Sequence, residues 1–148
     1  MRLRGVSRLA ADYRIIACIP SLAVLFDYSM TLAFSGGKEA LLRFEFSPLV
    51  RYAVEHDIVA AYLLVMMLFY YAMTFAALRL LPARLYGFGV VLVLLVAATH
   101  VLGGLSWVVR SSLYSLAVHG VSIAAVAVAL AAFGYAVLRY PARANTGR

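Results

Sequence analysis

Three side chains able to bind a cation or carry a proton sit inside stretches that are otherwise apolar. Asp27 lies within "SLAVLFDYSMTLAF" (residues 21–34), His100 within "LVAATHVLGG" (95–104) and His119 within "SLAVHGVS" (115–122). One carboxylate and two imidazoles are ligand types that a divalent metal such as zinc accepts. Two histidines at one level on neighbouring helices are also what a b-type haem needs for its axial ligands. An isolated acid in an apolar span is a group that carries protons or ions through membranes. A fourth use is structural, since membrane helices employ Asp, His, Ser and Thr as hydrogen-bonding glue.

Counting along the chain places the three at a common level. Asp27 is eight residues before Ser35, His100 nine before Val109, and His119 eight after Ser111. At about 1.5 Å per residue, each lies roughly 12 to 14 Å inside the same end of its helix. Polar or small neighbours recur at helical spacing around them: Thr31 after Asp27, Thr99, Gly103, Gly104 and Trp107 around His100, and Ser112, Ser115 and Ser122 around His119. Such stripes turn toward a bundle interior, because facing them to lipid leaves polar groups unsatisfied. The expected metal site is therefore Asp27, His100 and His119, and the expected haem site His100 and His119. Glu45, Glu55, His56 or Asp57 would supply a further ligand or a catalytic base from the mouth, Glu45 foremost.

The elements that must position these groups follow from composition. The 148 residues are 66% hydrophobic and only 13% charged, with a mean hydropathy of +0.96. A soluble domain carries about a quarter charged residues, so this composition belongs in a bilayer. Four apolar runs, Ile15 to Phe34, Ile58 to Leu81, Tyr86 to Val109 and Leu113 to Leu138, each reach the ~20 residues a spanning helix requires. They are continuous rather than alternating, which selects helices over a barrel. The expected fold is one all-α domain over residues 1–148, an integral membrane four-helix bundle with a loop at residues 35–57.

Charge sets the expected orientation. Arg2, Arg4, Arg8, Arg14, Arg79, Arg84, Arg139, Arg143 and Arg148 fall on one side of a four-span chain, and Lys38, Arg43, Arg51 and Arg110 on the other. That asymmetry puts both termini in the cytoplasm and the 35–57 loop outside a cell membrane. The net charge of +7 is thus topological, and the basic residues form no aromatic-interleaved stripe for nucleic acid. The N-terminal stretch is read as a span rather than a cleaved signal, because it is long, holds Asp27 and lacks an A-x-A-like site. Cys18, the one cysteine, cannot form an internal disulfide. No phosphate loop, G-x-S-x-G elbow or CxxC occurs.

The loop "SGGKEALLRFEFSPLVRYAVEH" carries structure of its own. Gly36 and Gly37 stop the first helix, and Ser47 before Pro48 is a helix start, so the second helix is expected to begin near Pro48 and project beyond the span. Leu41, Leu42, Phe44, Phe46, Leu49 and Val50 are too apolar for a solvated loop and should fold onto the bundle mouth or lie in the interface. The Tyr62, Met66, Phe69, Tyr70 and Met73 series recurs at helical spacing and reads as packing.

"DYSMT" followed by "EFSP" resembles the D-x-x-x-T and E-x-N-P pattern of an uncharacterised family of small prokaryotic multi-span membrane proteins, with Ser47 in place of the asparagine. The resemblance covers Asp27 to about His56. It implies a small helical membrane fold, points at Asp27, Thr31, Glu45 and Pro48, and names no reaction. It also pairs Asp27 with Glu45, two carboxylates that would meet around a cation or share a proton if the loop folds into the mouth. Lipid is the expected partner, alongside further copies of the chain or a larger membrane complex. Function at this point divides between a metal-binding membrane protein or enzyme, a haem-carrying electron-transfer subunit, and a non-enzymatic subunit or channel.

Overall fold

The computed structural model describes residues 12–45 and 47–139. Arg2, Arg4, Arg8, Phe46, Tyr140 and the segment from Pro141 to Arg148 lie outside the described residues. The described chain is helical, with no strand: α1 (Tyr13–Phe34), α2 (Lys38–Phe44), α3 (Pro48–Glu55), α4 (Val59–Leu80), α5 (Ala83–Val109) and α6 (Ser112–Arg139). Four of these, α1, α4, α5 and α6, are long and apolar enough to cross a membrane.

Local chemistry explains most boundaries. The Asp12 side chain accepts from the Arg14 N–H and caps α1. At the far end Gly36 and Gly37 take φ values of 82° and 119°, a region that costs glycine little and other residues more. Ser47 caps α3 through its hydroxyl, with Pro48 in the first turn. Pro82 separates α4 from α5. Arg110 ends α5 in the left-handed conformation, φ 46°.

One boundary departs from the sequence expectation. The helix beginning at Pro48 does not run on into the second span but stops at Glu55, and α4 starts afresh at Val59. The break is built by Asp57, whose φ of 57° is a conformation that Asp tolerates better than most residues, and by the Ile58 N–H reaching back to the Ala53 carbonyl. This corner frees α3 to fold over the bundle. There Leu41, Val50 and Val54 form a buried cluster with Tyr28, Leu42, Val59 and Tyr62, while Phe44 and Leu49 stay exposed, so only part of the expected apolar set folds onto the bundle. Lys38 ties the corner down, donating to Asp57 Oδ1 at 2.8 Å and to the Glu55 carbonyl at 3.4 Å.

Among the long helices α1 is central. It packs against α4 on one side and α5 on the other, and α6 packs against α5 without appreciable contact to α1 or α4. α1 and α4 run antiparallel, with Tyr13 against Phe75, the Ser21 hydroxyl donating to the Met67 carbonyl at 2.8 Å, and Tyr28 against Tyr62. α1 and α5 run parallel, and their loop-side ends are joined by Arg110, whose guanidinium donates to the Phe34 carbonyl at 2.9 Å. The buried positions on the two helices are mostly small: Ala17, Pro20, Ser21 and Ala23 on α1, Gly89, Ala97 and Gly104 on α5. Without a hydrophobic drive between helices in lipid, such residues gain their stability from close backbone approach. The large side chains point outward instead, among them Leu64, Leu68, Leu116 and Ile123, as expected of surfaces that meet acyl chains.

Candidate functional site

The site is built where α1, α4 and α5 meet. His100, Gly103, Gly104 and Trp107 share one face of α5, at steps of three and four residues. Gly104 is buried, and a Cβ there would stand 2.8 Å from the Asp27 Cα. The absence of a side chain at 104 is what lets α1 come close enough for its carboxylate to meet His100. A Cβ at Gly103 would lie 3.6 Å from each Asp27 carboxylate oxygen, so this glycine keeps the flank of the carboxylate open.

His100 is held from both sides. Its Nδ1 is 2.8 Å from Asp27 Oδ2 on α1, and its Nε2 is 2.9 Å from the Tyr70 hydroxyl on α4. The Tyr70 ring stands edge-on to the imidazole, 5.0 Å between centroids, a favourable aromatic geometry. Asp27 and His100 side chains are about one-fifth exposed, 21% and 19%, so the unit is neither sealed nor fully solvated. With a neutral imidazole, Nδ1–H donates to the carboxylate and the Tyr70 hydroxyl donates to Nε2. With an imidazolium, both ring N–H groups donate and the tyrosine oxygen accepts. All contacts survive in either state, so a proton can be added or removed without breaking the hydrogen-bonded chain.

The level inferred from counting holds for Asp27 and His100, which touch. His119 is not brought to them. It sits on an exposed position of α6, with Nδ1 2.7 Å from the Ser115 carbonyl of its own helix, while the His100 ring is engaged by α1 and α4, helices that α6 does not appreciably contact. Counting from a span end gives depth but not azimuth, which depends on the face of α5 that receives α6. Among the described residues, no group of three or more His, Cys, Asp or Glu side chains is placed to hold a metal ion.

Glu45 lies in the link between α2 and α3, where its Oε1 accepts from the Ser47 N–H at 2.8 Å, satisfying a donor just before the α3 N-terminus. Glu55, His56 and Asp57 are tied into the corner: His56 Nδ1 meets the Tyr52 carbonyl at 2.8 Å and its ring stacks on Tyr52, and Asp57 pairs with Lys38. Of the stripe residues, Thr99 donates to the Leu95 carbonyl and Ser122 to the Val118 carbonyl of their own helices, and Ser112 is exposed rather than turned inward. Thr31 is buried at 3% exposure on the face of Asp27.

Sequence reasoning missed Tyr70, which it placed in a packing series. The available signal was the hydroxyl: a phenol inside a span must find a partner, and Asp27 and His100 were the polar groups at hand. The same reasoning applies to Tyr28 and Tyr62, whose hydroxyls meet at 3.0 Å.

Compared with known proteins, the chain matches no family model, no curated protein and no solved structure. Function is therefore read from the site.

Proposed function

We propose that this chain is a multi-pass membrane protein, placed in the cell membrane with both termini cytoplasmic, whose Asp27, His100 and Tyr70 form a proton-binding site within the bilayer. The observation that carries the reading is the continuous hydrogen-bonded chain from carboxylate to imidazole to phenol. An imidazole can take up or release a proton at either ring nitrogen. Here the carboxylate offsets the charge of its protonated form, and the phenol can accept or donate at the other nitrogen. The unit thus has the chemistry of a proton carrier in a membrane rather than of inert glue.

The donor set argues for protons over a resident metal. Coordination at His100 would have to take Nε2 from the Tyr70 hydroxyl, and His119 stands on another face. A carboxylate behind a histidine does also orient metal-binding imidazoles, so a divalent ion at His100, with Glu45 as the base, is the second reading. Haem between His100 and His119 has no comparable geometric support.

Purified protein reconstituted in liposomes under a potassium diffusion potential, with an internal pH dye, tests the proposal. Proton uptake should exceed that of empty vesicles and fall to their level in Asp27→Asn. Uptake equal to empty vesicles in the unmodified protein would sink it. Metal analysis and an absorption spectrum of the same sample separate the others: stoichiometric metal lost in His100→Ala supports the second reading, and a Soret band supports haem.

A further inference from the structure

The proton-binding unit lies roughly 10 to 14 Å inside the loop-side ends of α1 and α5 by residue count, so a proton arriving from that side needs a route. A second polar pair stands next to the unit. Tyr28 follows Asp27 in α1, and its hydroxyl meets that of Tyr62 at 3.0 Å with either able to donate. The two rings pack edge to face, 5.6 Å between centroids. Both lie against the Leu41, Val50 and Val54 cluster that covers the mouth, where each hydroxyl is satisfied by the other and so is held in place to pass a proton. The pair thus touches the α2–α3 cluster, whose Leu41 and Val50 flank the Glu45 link, and Tyr28 neighbours Asp27 along α1.

We infer that Tyr28 and Tyr62 form the loop-side arm of a proton path, leading from Glu45 at the mouth to Tyr70, His100 and Asp27. This rests on the proton-binding reading of the site and adds the side from which it is loaded and the residues that load it. Each hydroxyl accepts one proton and releases its own, so no tyrosine carries net charge after transfer. The added proton comes to rest on the His100 imidazole, whose positive charge faces the Asp27 carboxylate. Water bridges the steps that no direct hydrogen bond spans, a connection nearly as good as a direct one. The α2–α3 cover then meters access, because its apolar residues close over the tyrosine pair.

The test compares Tyr28→Phe, Tyr62→Phe and Glu45→Gln with Asp27→Asn in the liposome assay, with unfolding temperature and the titration of 15N-labelled His100 followed in parallel. The expected result is at least a tenfold fall in uptake rate for either tyrosine variant and a smaller fall for Glu45→Gln, with the His100 midpoint and unfolding temperature close to those of the unmodified protein. Uptake abolished by Asp27→Asn but unchanged in both tyrosine variants overturns the path and leaves the site standing. A lowered unfolding temperature with unchanged rate per folded protein shows the pair to be packing and overturns it as well. No Asp27-dependent uptake and no His100 titration coupled to Asp27 removes the site itself, and the path with it.

Discussion

At Tyr70 a single oxygen atom separates a residue that only packs from one that also hydrogen-bonds to His100. The ring fills the space between α4 and α5, while the hydroxyl completes the chain on His100. Tyr70→Phe should therefore retain helix content and lose about 0.5 to 1.5 kcal/mol of stability, the net worth of one hydrogen bond, measurable by chemical unfolding in mixed micelles. Asp27→Asn and His100→Gln should be strongly non-additive in the same measurement, since each removes the same contact. Additive losses would mean that the two side chains do not act together. Asp27 and His100 were legible in the sequence because ionisable groups stand out against an apolar run and because counting fixes their level. Tyr70 was not, because a tyrosine among Phe and Met at helical spacing looks like any other bulky residue until its hydroxyl is followed to a partner.

At the scale of the helices, the contact between α1 and α5 depends on the lack of a side chain at position 104. A Cβ there would press on the Asp27 backbone, 2.8 Å from Cα and 3.2 Å from the carbonyl oxygen, and backbone cannot swing aside as a side-chain tip can. Gly104→Ala should cost roughly 1 to 3 kcal/mol, the range for overpacking, and should weaken the Asp27 to His100 contact at the same time. Gly120 is the control: a Cβ there meets nothing within 4 Å, so Gly120→Ala should change the unfolding temperature little or raise it slightly. Four spans could be read from hydrophobic runs alone, because their length and continuity are set by the bilayer. The corner at Asp57 could not, since it depends on one residue adopting a left-handed conformation. The seat of His119 could not either, because it turns on which face of α5 receives α6.

For the molecule as a whole, the arginine-rich side and the Lys38, Arg43, Arg51 and Arg110 side predict which end faces the cytoplasm. With Cys18 replaced by serine, a single cysteine placed at Lys38 should react with a membrane-impermeant maleimide in intact cells. One placed at Arg84 should react only after the membrane is opened. The reverse pattern would invert the topology and, with it, the side from which we propose the site is loaded.

The edge position of α6 has a consequence in time. Asp27, Tyr70 and His100 are supplied by the first three spans, and Gly104 and Arg110, which set the approach of α1 to α5, precede α6 in the chain. During synthesis every residue needed to assemble the chemical centre has been made before the last span begins. Substitutions on the outward face of α6, at Leu116, Ile123 or Leu130, can therefore alter what the protein meets sideways in the membrane while the centre, already set by earlier segments, keeps its geometry.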